Sequence, residues 1–398
     1  MDNNYREPAR IDKGEQRLPS CGLMIDASEG IKNVYLSAVV PFHRDLMKLR
    51  TCLRGISAAA THLPAGALLC ETIVVADGAP EDPSGVAATH GAMVVAIDGP
   101  RGPATARNRG AAVASGDVLV FVDSDVAIDA NSLAHAARRF ASDPDLTALF
   151  GAYDEDPTAP GFISQGKNLA HCFIHRRSAG EARTFWAGIG AVRADAFASL
   201  GGFDERFTRP SVEDIDLGYR IRASNGRIVL DPAIRGCHMK RWTLRSAVMT
   251  EIRDRGIPWT QLLHRYEGFH EDLNLTRSYR VCVVVAYSAV ACAVFAIWWP
   301  VLLAPAALGV VTLWMLDRPY YRFFSDRRGL GYAIRWFPIH VLHHLSNGLS
   351  FVVGTLLHLA RRWTGVSLAG TLPATAWPRP LENDMNGSEP IRSSRSEA

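Results

Sequence analysis

Two nucleotide-binding signatures are missing from this chain of 398 residues. No Gly-x-Gly-x-x-Gly follows the first apolar run, so a dinucleotide-dependent oxidoreductase loses its main support. No Gly-x-x-x-x-Gly-Lys-Ser/Thr loop occurs either. A diphosphate bound by this chain must therefore be held by side chains and a cation rather than by a glycine-rich loop. The seven cysteines include no Cys-x-x-Cys pair, so their spacing predicts neither a zinc site nor a disulfide framework.

The chain also lacks a strong charge imbalance, and its N-terminal segment lacks a long apolar run. Its net charge of +3 and pI near 8.5 give no indication of a nucleic-acid partner. The polar segment 1–33 contains no apolar core of a signal peptide, and we expect it to be disordered. Residues 375–398 are rich in Pro, Ser, Asn and Glu, and we expect the same of them.

Charged residues are absent from 281–316, where no Asp, Glu, Lys, Arg or His occurs. As one helix this run would be roughly 54 Å long, well beyond a hydrocarbon core of roughly 30 Å. A transmembrane hairpin fits better, with spans at about 281–299 and 301–316 and a break at Trp298-Trp299-Pro300. The alternative is a buried pair of helices in a soluble protein. A further apolar stretch, 337–360, is predicted to be either a third span or an interfacial helix.

Basic residues flank the hairpin on both sides, in 243–280 and in the connector 317–336. The positive-inside rule therefore places both flanks and the N-terminal domain in the cytoplasm. We expect a multi-pass protein of the cytoplasmic (inner) membrane. The basic stretch 243–280 is partly amphipathic, which suits either an anionic membrane surface or a helix that covers a groove of the protein.

Strands and helices alternate from residue 34 to residue 141. The strands are predicted at Val34–Pro41, Glu71–Ala76, Met93–Ile97 and Val118–Val122, with helices at Pro103–Ser115 and Ala130–Ala141 and another ending near His62. This order predicts βαβ units, a parallel sheet and ligand binding at the carboxyl ends of the strands.

Three acidic groups fall at such strand ends or at a helix start: Asp77, Asp123 with Asp125, and Glu213 with Asp214. Asp123 and Asp125 are two residues apart after an apolar strand, so both carboxylates point to one side of the extended chain. Carboxylates beside apolar runs usually face a cation or a polar ligand. The arrangement suits a divalent metal that carries a diphosphate and favours a nucleotide-sugar transferase.

Seven motifs then stand in the order of a known family. They are Val-Val-Pro41, Val-Ala-Asp77-Gly78, Gly102-Pro-Ala-Thr-Ala-Arg107-Asn108-Arg-Gly110, Val-Asp123-Ser-Asp125, Gly201-Gly202-Phe203-Asp204-Glu205, Glu213-Asp214-Ile-Asp216-Leu-Gly-Tyr-Arg220 and His238-Met-Lys-Arg241-Trp242. Together they resemble glycosyltransferase family 2, the inverting enzymes of the GT-A fold, over 34–242. The resemblance implies an α/β fold class: a GT-A (Rossmann-like, mostly parallel sheet) catalytic domain, here followed by C-terminal transmembrane helices.

The resemblance also implies a donor site. Nucleotide-sugar contacts are expected from Pro41, Asp77, Arg101, Arg107, Asp123 and Arg241, with Asp77 at the nucleobase. A UDP-sugar is the favoured donor. Asp123, Asp125 and His238 are the predicted ligands of Mg²⁺ or Mn²⁺, which bridges the phosphates.

On the acceptor side, Asp214 is the predicted general base, and Trp186, Glu213 and Trp242 are predicted to contact the acceptor. Simpler interpretations remain open for several of these residues. Asp77 can merely form a turn, and Asp125 can cap a helix. Glu213 and Asp214 can stabilise a helix N-terminus by their charge, while Trp186 can belong to the core.

The last motif departs from the family pattern. Processive members carry Gln-x-x-Arg-Trp, whereas this chain has His238 at the first position, where it can be a metal ligand, a phosphate donor or a structural residue. The change argues against processive synthesis, as do the few membrane spans. The expected activity is transfer of one sugar to a lipid-linked saccharide, a glycolipid or another glycan acceptor. A processive polysaccharide synthase and a non-catalytic membrane protein that binds nucleotides or glycans are the alternatives.

Overall fold

The computed structural model describes residues 33–266, 273 and 275–365. Apart from residue 33, the segments expected to be disordered, 1–33 and 375–398, lie outside these ranges. Residues 34–242 form an α/β unit, and the described residues from 243 onward are mainly helical.

The first half of the α/β unit alternates strands and helices because apolar runs long enough for a strand are separated by glycine-, proline- and aspartate-rich turns. The elements are β1 (Val34–Phe42), α1 (Leu46–Ala60), β2 (Ala67–Asp77), α2 (Ser84–Ala88), β3 (Met93–Ile97), α3 (Pro103–Val113) and β4 (Val118–Val122). Every residue of β4 is buried, as expected for a central strand covered on both faces. The predicted strands and helices of this half are confirmed, with two strands predicted to the residue.

The second half adds both parallel and antiparallel strands. Its elements are β5 (Val126–Ile128), α4 (Ser132–Ser142), β6 (Leu146–Tyr153), α5 (Phe162–Arg177), β7 (Gly180–Ala182), β8 (Ile189–Arg193), α6 (Ala194–Ser199), α7 (Glu213–Ala223) and β9 (Arg227–His238). The sheet order is β3-β2-β1-β4-β8-β6-β9-β5, with β7 also paired to β9. Because β8 runs antiparallel to both β4 and β6, the sheet is mixed.

Two apolar cores cover the two faces of this sheet. One is formed mainly with α1 and α4 and contains Leu53, Phe140 and Val122. The other contains Phe121, Phe150 and the residues that pack beneath α7. With both faces covered, polar side chains of the central strands gather at the strand ends, which is where β1, β2 and β4 deliver Pro41, Asp77 and Asp123.

The C-terminal region is built from helices. They are α8 (Leu244–Met249), a π-helical segment (Thr250–Gly256), α9 (Ile257–Arg265), α10 (Arg277–Phe295), a short 3₁₀ turn (Pro300–Leu302), α11 (Leu303–Leu316), α12 (Arg318–Arg328) and α13 (Leu330–Thr364). The predicted connector 317–336 is therefore helical. The predicted segment 337–360 is part of one helix that begins at Leu330 and continues through Pro338.

Among the described helices, α10 alone is long and apolar enough to cross a membrane. The run Pro300–Leu316 passes the same test only together with Arg318–Arg328, from which it is bent by 71°. One helix, or two if the bent pair is counted as one span, thus meets the requirement of length and composition. Much of the apolar surface of α10 and α11 faces outward, including Val284, Leu303 and Leu308.

The helical region packs directly on the α/β unit through α5. Leu169 of α5 lies in an aromatic cluster with Tyr320, Phe324 and Trp336. Lys167 of α5 also forms a buried ion pair with Glu251 of the π-helical segment. In the basic stretch, Leu262 of α9 is buried in the second apolar core of the α/β unit, and Leu263 is buried as well.

Candidate active site

The carboxyl end of β4 and the start of β5 bring Asp125 and His238 together. The pairing of Val126 with His238 places β5 beside β9, and the Met239 amide donates to the Asp125 carbonyl at 2.9 Å. The imidazole Nε2 of His238 then lies 3.5 Å from Asp125 Oδ2. Burial acts to raise the pKa of Asp125, but His238 and the nearby lysines outweigh it, so the pKa is lowered. Asp125 is accordingly a carboxylate at neutral pH.

Arg107 of α3 joins the strand end to α7. Its Nη2 donates to Asp123 Oδ1 at 2.7 Å, and its Nη1 donates to Glu213 Oε1 at 2.9 Å. The other carboxylate oxygen of Glu213 accepts the Ser211 amide. Arg107 and Glu213 are both buried. Arg107, predicted to contact the nucleotide sugar, and Glu213, predicted to contact the acceptor, therefore form an ion pair with each other.

Asp214 lies in the first turn of α7 beside this ion-pair network. Its Oδ2 accepts the Ala187 amide at 3.2 Å, just before β8, and its Oδ1 accepts the Ile215 amide. Burial raises the pKa of Asp214 to about 7, with a further contribution from the adjacent Glu213. A carboxyl group with a pKa near the working pH is suited to accept a proton.

An aromatic wall stands behind His238. The ring of Tyr153 stacks on the imidazole at 4.3 Å, and Trp186 meets Tyr153 edge-on at 4.6 Å. His175 of α5 contacts the other side of Trp186. Trp186 is partly exposed and is packed against the core, so it belongs to the wall of the site and to the core at once.

Asp77 organises a loop at the end of β2 rather than joining the cluster around Asp125. Its two carboxylate oxygens each accept a backbone amide at 2.7 Å, one from Arg101 and one from Gly102. The peptide bond between Gly99 and Pro100 is cis. Arg101 is exposed, with its Nε donating to the Asp98 carbonyl. Asp77 thus fixes the loop that leads into α3 and Arg107.

The last predicted pair lies just beyond β9. The Trp242 amide donates to Ser164 Oγ, and the Lys240 ammonium lies 4.2 Å from the centre of the Trp242 ring. Arg241 is exposed, and within the described ranges no contact joins it to the cluster. Pro41 lies in β1 opposite Val75 and is half-buried.

Sequence reasoning missed a basic group that enters from the C-terminal region. Arg255 of the π-helical segment contacts His171 Nε2 at 3.0 Å and acts to lower the pKa of Asp214. Burial lowers the pKa of His175 to about 4, so this imidazole is neutral. The four-residue spacing of His171 and His175 on α5 was the available sequence signal. Nothing in the sequence pairs α5 with Arg255, which lies 84 residues from His171.

The donor set at Asp125 and His238 fits a divalent cation that keeps coordination positions for water and phosphate. Carboxylate oxygen and imidazole nitrogen suit Mn²⁺, and a carboxylate suits Mg²⁺. Asp123 offers fewer ligand atoms to such a cation, because one of its carboxylate oxygens accepts a hydrogen bond from Arg107. Over the ranges that the structure describes, the one trio of potential ligands lying mutually within 4.8 Å is found elsewhere, at Cys282, Asp317 and His344.

Residues 37–199 match the family model described as glycosyl transferase family 2. No curated protein gives a significant match. The chain is similar to a mannosyltransferase from Pyrobaculum calidifontis solved with GDP-Man and Mn²⁺, at 14% identity over 83% of this chain and 88% of that chain, with a TM-score of 0.47.

A second similar structure is glucosyl-3-phosphoglycerate synthase from Mycobacterium tuberculosis, solved with Mn²⁺, UDP and glucosyl-3-phosphoglycerate. It is 20% identical over 59% of this chain and 80% of that chain, with a TM-score of 0.42. The expectation of an α/β fold of the GT-A type is confirmed. Of the transmembrane helices expected after it, the described residues contain one helix, or two if the bent pair is one span, that is long and apolar enough to cross a membrane.

Proposed function

We propose that this chain is a membrane-anchored, metal-dependent, inverting transferase. Its residues 37–199 match the family model of glycosyl transferase family 2. It moves one sugar from a nucleotide-diphosphate donor, with UDP favoured, to a hydroxyl or phosphate acceptor on a lipid-linked saccharide or glycolipid. The observation that carries the chemistry is the placement of Asp214. Its half-buried carboxyl group, whose pKa is raised to about 7 by desolvation, lies at a helix start that Arg107 connects to the end of β4.

The reaction is a direct displacement at the anomeric carbon. Asp214 accepts the proton of the acceptor hydroxyl as that oxygen forms its bond to the sugar, and the bond between the anomeric carbon and the donor phosphate oxygen breaks. Attack from the face opposite the nucleotide inverts the anomeric configuration. A positioned general base contributes typically about 10²–10⁴-fold in rate.

Asp125 and His238 would hold the divalent cation, with Asp123 beside them. The cation would act as a Lewis acid on the leaving diphosphate. The chain supplies the orientation: Arg107 fixes Asp123 against Glu213, and the stacked ring of Tyr153 fixes the plane of His238. Trp186 supplies a flat apolar surface at the acceptor side of the site.

The location of the acceptor is inferred from the helical region. The outward-facing apolar side chains of α10 and α11 need a non-aqueous environment, since exposed apolar patches of this extent are uncommon on soluble monomers. Basic residues at both ends of the hairpin, among them Arg280 and Arg318, favour a cytoplasmic active site by the positive-inside rule. A catalytic unit held at the membrane surface meets lipid-borne acceptors at high local concentration.

The test is donor turnover by the full-length protein in detergent. A panel of nucleotide sugars is offered with Mn²⁺, Mg²⁺ or EDTA and with membrane lipids as acceptor. We expect release of one nucleotide that depends on the metal and is lost in Asp125→Ala and Asp214→Asn. Arg109→Gln, an exposed change on α3, is the control and should keep full turnover.

Two results would contradict parts of the proposal. Full activity of Asp214→Asn would show that Asp214 is not the general base. Unaltered turnover in EDTA would show that the reaction needs no metal. Labelling of a water-soluble acceptor, with none in the lipid extract, would overturn the lipid acceptor while leaving the transferase intact. An anomeric configuration retained in the product would exclude the direct displacement.

A further inference from the structure

A second group of potential metal ligands lies in the helical region, away from the candidate active site. Cys282 of α10, Asp317 between α11 and α12, and His344 of α13 present a sulfur, a carboxylate oxygen and an imidazole nitrogen that lie mutually within 4.8 Å. All three residues are buried. His344 Nε2 and Asp317 Oδ2 are hydrogen-bonded at 3.1 Å in this structure, a separation that is also close to the spacing between two ligands of one small cation. Metal–ligand bonds of about 2.0–2.3 Å give ligand separations of this order.

The charge of Asp317 is the first argument for a cation. Its carboxylate is buried at a helix junction, and its polar neighbours are Cys282, His340 and His344. Within the described part of the chain, no lysine or arginine forms an ion pair with it. A buried carboxylate without an opposing charge is costly. A bound divalent cation provides that charge.

The spacing of the histidines is the second argument. His340 and His344 are four residues apart on α13 and share one helix face, with ring centres 4.4 Å apart. Two histidines at this spacing form a common metal-binding pair. The hydroxyl of Tyr321 contacts His340 Nδ1 at 2.8 Å and holds that ring beside Asp317.

Room for a fourth ligand is the third argument. A cavity of about 50 Å³ lies between α5 and the helices α10, α12 and α13, and Asp317, His340 and His343 line it. A cavity of this size accommodates a water molecule, which needs roughly 10–15 Å³ by the same measure, and Asp317, His340 and His343 supply polar partners for it. A fourth ligand could therefore come from water in this cavity on the Asp317 side, or from His340.

We propose that Cys282, Asp317 and His344 bind one Zn²⁺. A thiolate together with an imidazole and a carboxylate favours zinc over the hard cations Mg²⁺ and Ca²⁺, which prefer oxygen ligands only. Cysteine spacing did not predict this site because the three ligands come from separate places along the chain, namely α10, the α11–α12 junction and α13. The ion joins α10 and α13 to the 71° bend between α11 and α12, so it holds the helical region together without taking part in sugar transfer. Since it binds the folded chain, it raises the resistance of that region to unfolding.

The test is the zinc content of full-length protein purified in detergent. The samples are dialysed in Mg²⁺-containing buffer without added zinc and measured by inductively coupled plasma mass spectrometry. We expect about one Zn²⁺ per chain in the parent protein and a near-complete loss in Cys282→Ser and His344→Gln. Cys292→Ser, on the same helix but outside the trio, is the matched control and should keep its zinc. Asp125→Ala should also keep it, which separates this ion from one at the active site.

A second measurement covers the case in which the variants do not fold. Parent protein reconstituted with Co²⁺ should show a sulfur-to-cobalt charge-transfer band in the near ultraviolet and the visible bands of tetrahedral cobalt. Zinc that is absent from the parent protein even after reconstitution, or a cobalt spectrum without the thiolate band, would overturn the proposal. Equal zinc in the parent protein and both ligand variants would also overturn it, because the ion would then lie at another site.

Discussion

At the scale of single residues, Arg107 connects the carboxylates of Asp123 and Glu213 in the polar centre of the α/β unit. Burial acts to lower the pKa of its guanidinium, but Asp123 and Glu213 outweigh it, so the pKa is raised and the group stays charged. Both carboxylates lose their hydrogen-bonded partner if this one side chain is truncated. The face of Phe203 lies 5.4 Å from the guanidinium carbon and fixes its plane. One residue thus sets the distance between the end of β4 and the start of α7.

Replacing Arg107 with methionine should therefore lower stability as well as activity. Breaking a buried ion pair by removing one partner costs about 3–5 kcal/mol, because an uncompensated charge stays buried. We expect a loss of that size in the free energy of unfolding of the α/β unit, measured by urea titration of the detergent-solubilised protein. Arg109→Met on the exposed face of α3 should change it by less than about 0.5 kcal/mol. A loss below about 1 kcal/mol for Arg107→Met would show that the network is not a structural support.

We assign the pH dependence of activity to the ionisation of Asp214. Its pKa is raised, and the base works only when deprotonated, so kcat/KM should fall as the pH is lowered through about 7. Glu213 contributes to this rise, so Glu213→Gln should move the acidic limb to lower pH even if the maximal rate drops. The measurement is a kcat/KM profile from pH 5 to 9 for both proteins. An acidic limb that stays in place or moves to higher pH in Glu213→Gln would assign that limb to another group.

At the scale of elements, the contact between α5 and α13 determines how the helical region sits on the α/β unit. Gly166 of α5 faces Trp336 of α13, whose ring fills the space that a side chain at 166 would need. The indole Nε1 of Trp336 donates to Tyr320 at 2.8 Å, which holds the ring in place. Close approach of the two helices therefore depends on a glycine at this position.

Gly166→Ala should loosen this interface although alanine favours a helix more than glycine does. The added methyl group overlaps the ring of Trp336, and overpacking of this kind costs typically 1–3 kcal/mol. We expect a lower midpoint of thermal unfolding and faster proteolysis between the α/β unit and α10. Gly331→Ala on α13, where nothing lies within 4 Å of the new methyl group, is the matched control and should be neutral or stabilising. Equal behaviour of the two variants would mean that the interface is open in solution.

Element prediction from the sequence succeeded where a pattern is local. The runs Met93–Ile97 and Val118–Val122 are apolar, short and bounded by turn residues, and both strands have these bounds in the structure. The sequence did not predict that β8 runs antiparallel to β4 and β6, because the direction of a strand depends on the path of the chain between elements. Likewise α13 continues through Pro338, since packing against α10 and α12 offsets the lost hydrogen bond.

In the candidate site, too, the features carried by local motifs were predicted, whereas the contacts between distant segments were not. The carboxylates Asp123, Asp125 and Asp214 were selected from motifs, and the structure places them around the carboxyl end of β4. Their partners were not predictable in the same way. Glu213 lies 106 residues from Arg107, and a pattern within one element cannot reveal a contact that is made by folding. The ion pair of Lys167 with Glu251 and the contact of Arg255 with His171 are of this kind too.

At the scale of the whole molecule, charge and apolar surface are arranged along one direction. The α/β unit carries the polar site, and α5 connects it to helices whose outward faces are apolar. Trp298 and Trp299 are exposed at the turn between α10 and α11, opposite the basic ends of both helices. Indole rings favour the membrane–water interface, whereas arginines are retained on the cytoplasmic side. The arrangement predicts a hairpin whose turn reaches the far surface of the membrane.

Accessibility to a membrane-impermeant maleimide tests this orientation in intact cells. We expect a cysteine introduced by Trp299→Cys to be labelled from outside, because the turn lies at the far interface. A cysteine introduced by Arg322→Cys, on an exposed part of α12, should be labelled only after the cells are lysed. The unmodified chain gives the background from its native cysteines. Labelling of both positions from outside would place the basic flank, and with it the α/β unit, on the wrong side for a cytosolic nucleotide sugar. Labelling of both positions only after lysis would mean that the hairpin does not cross the membrane, and the lipid-borne acceptor would lose its main physical support.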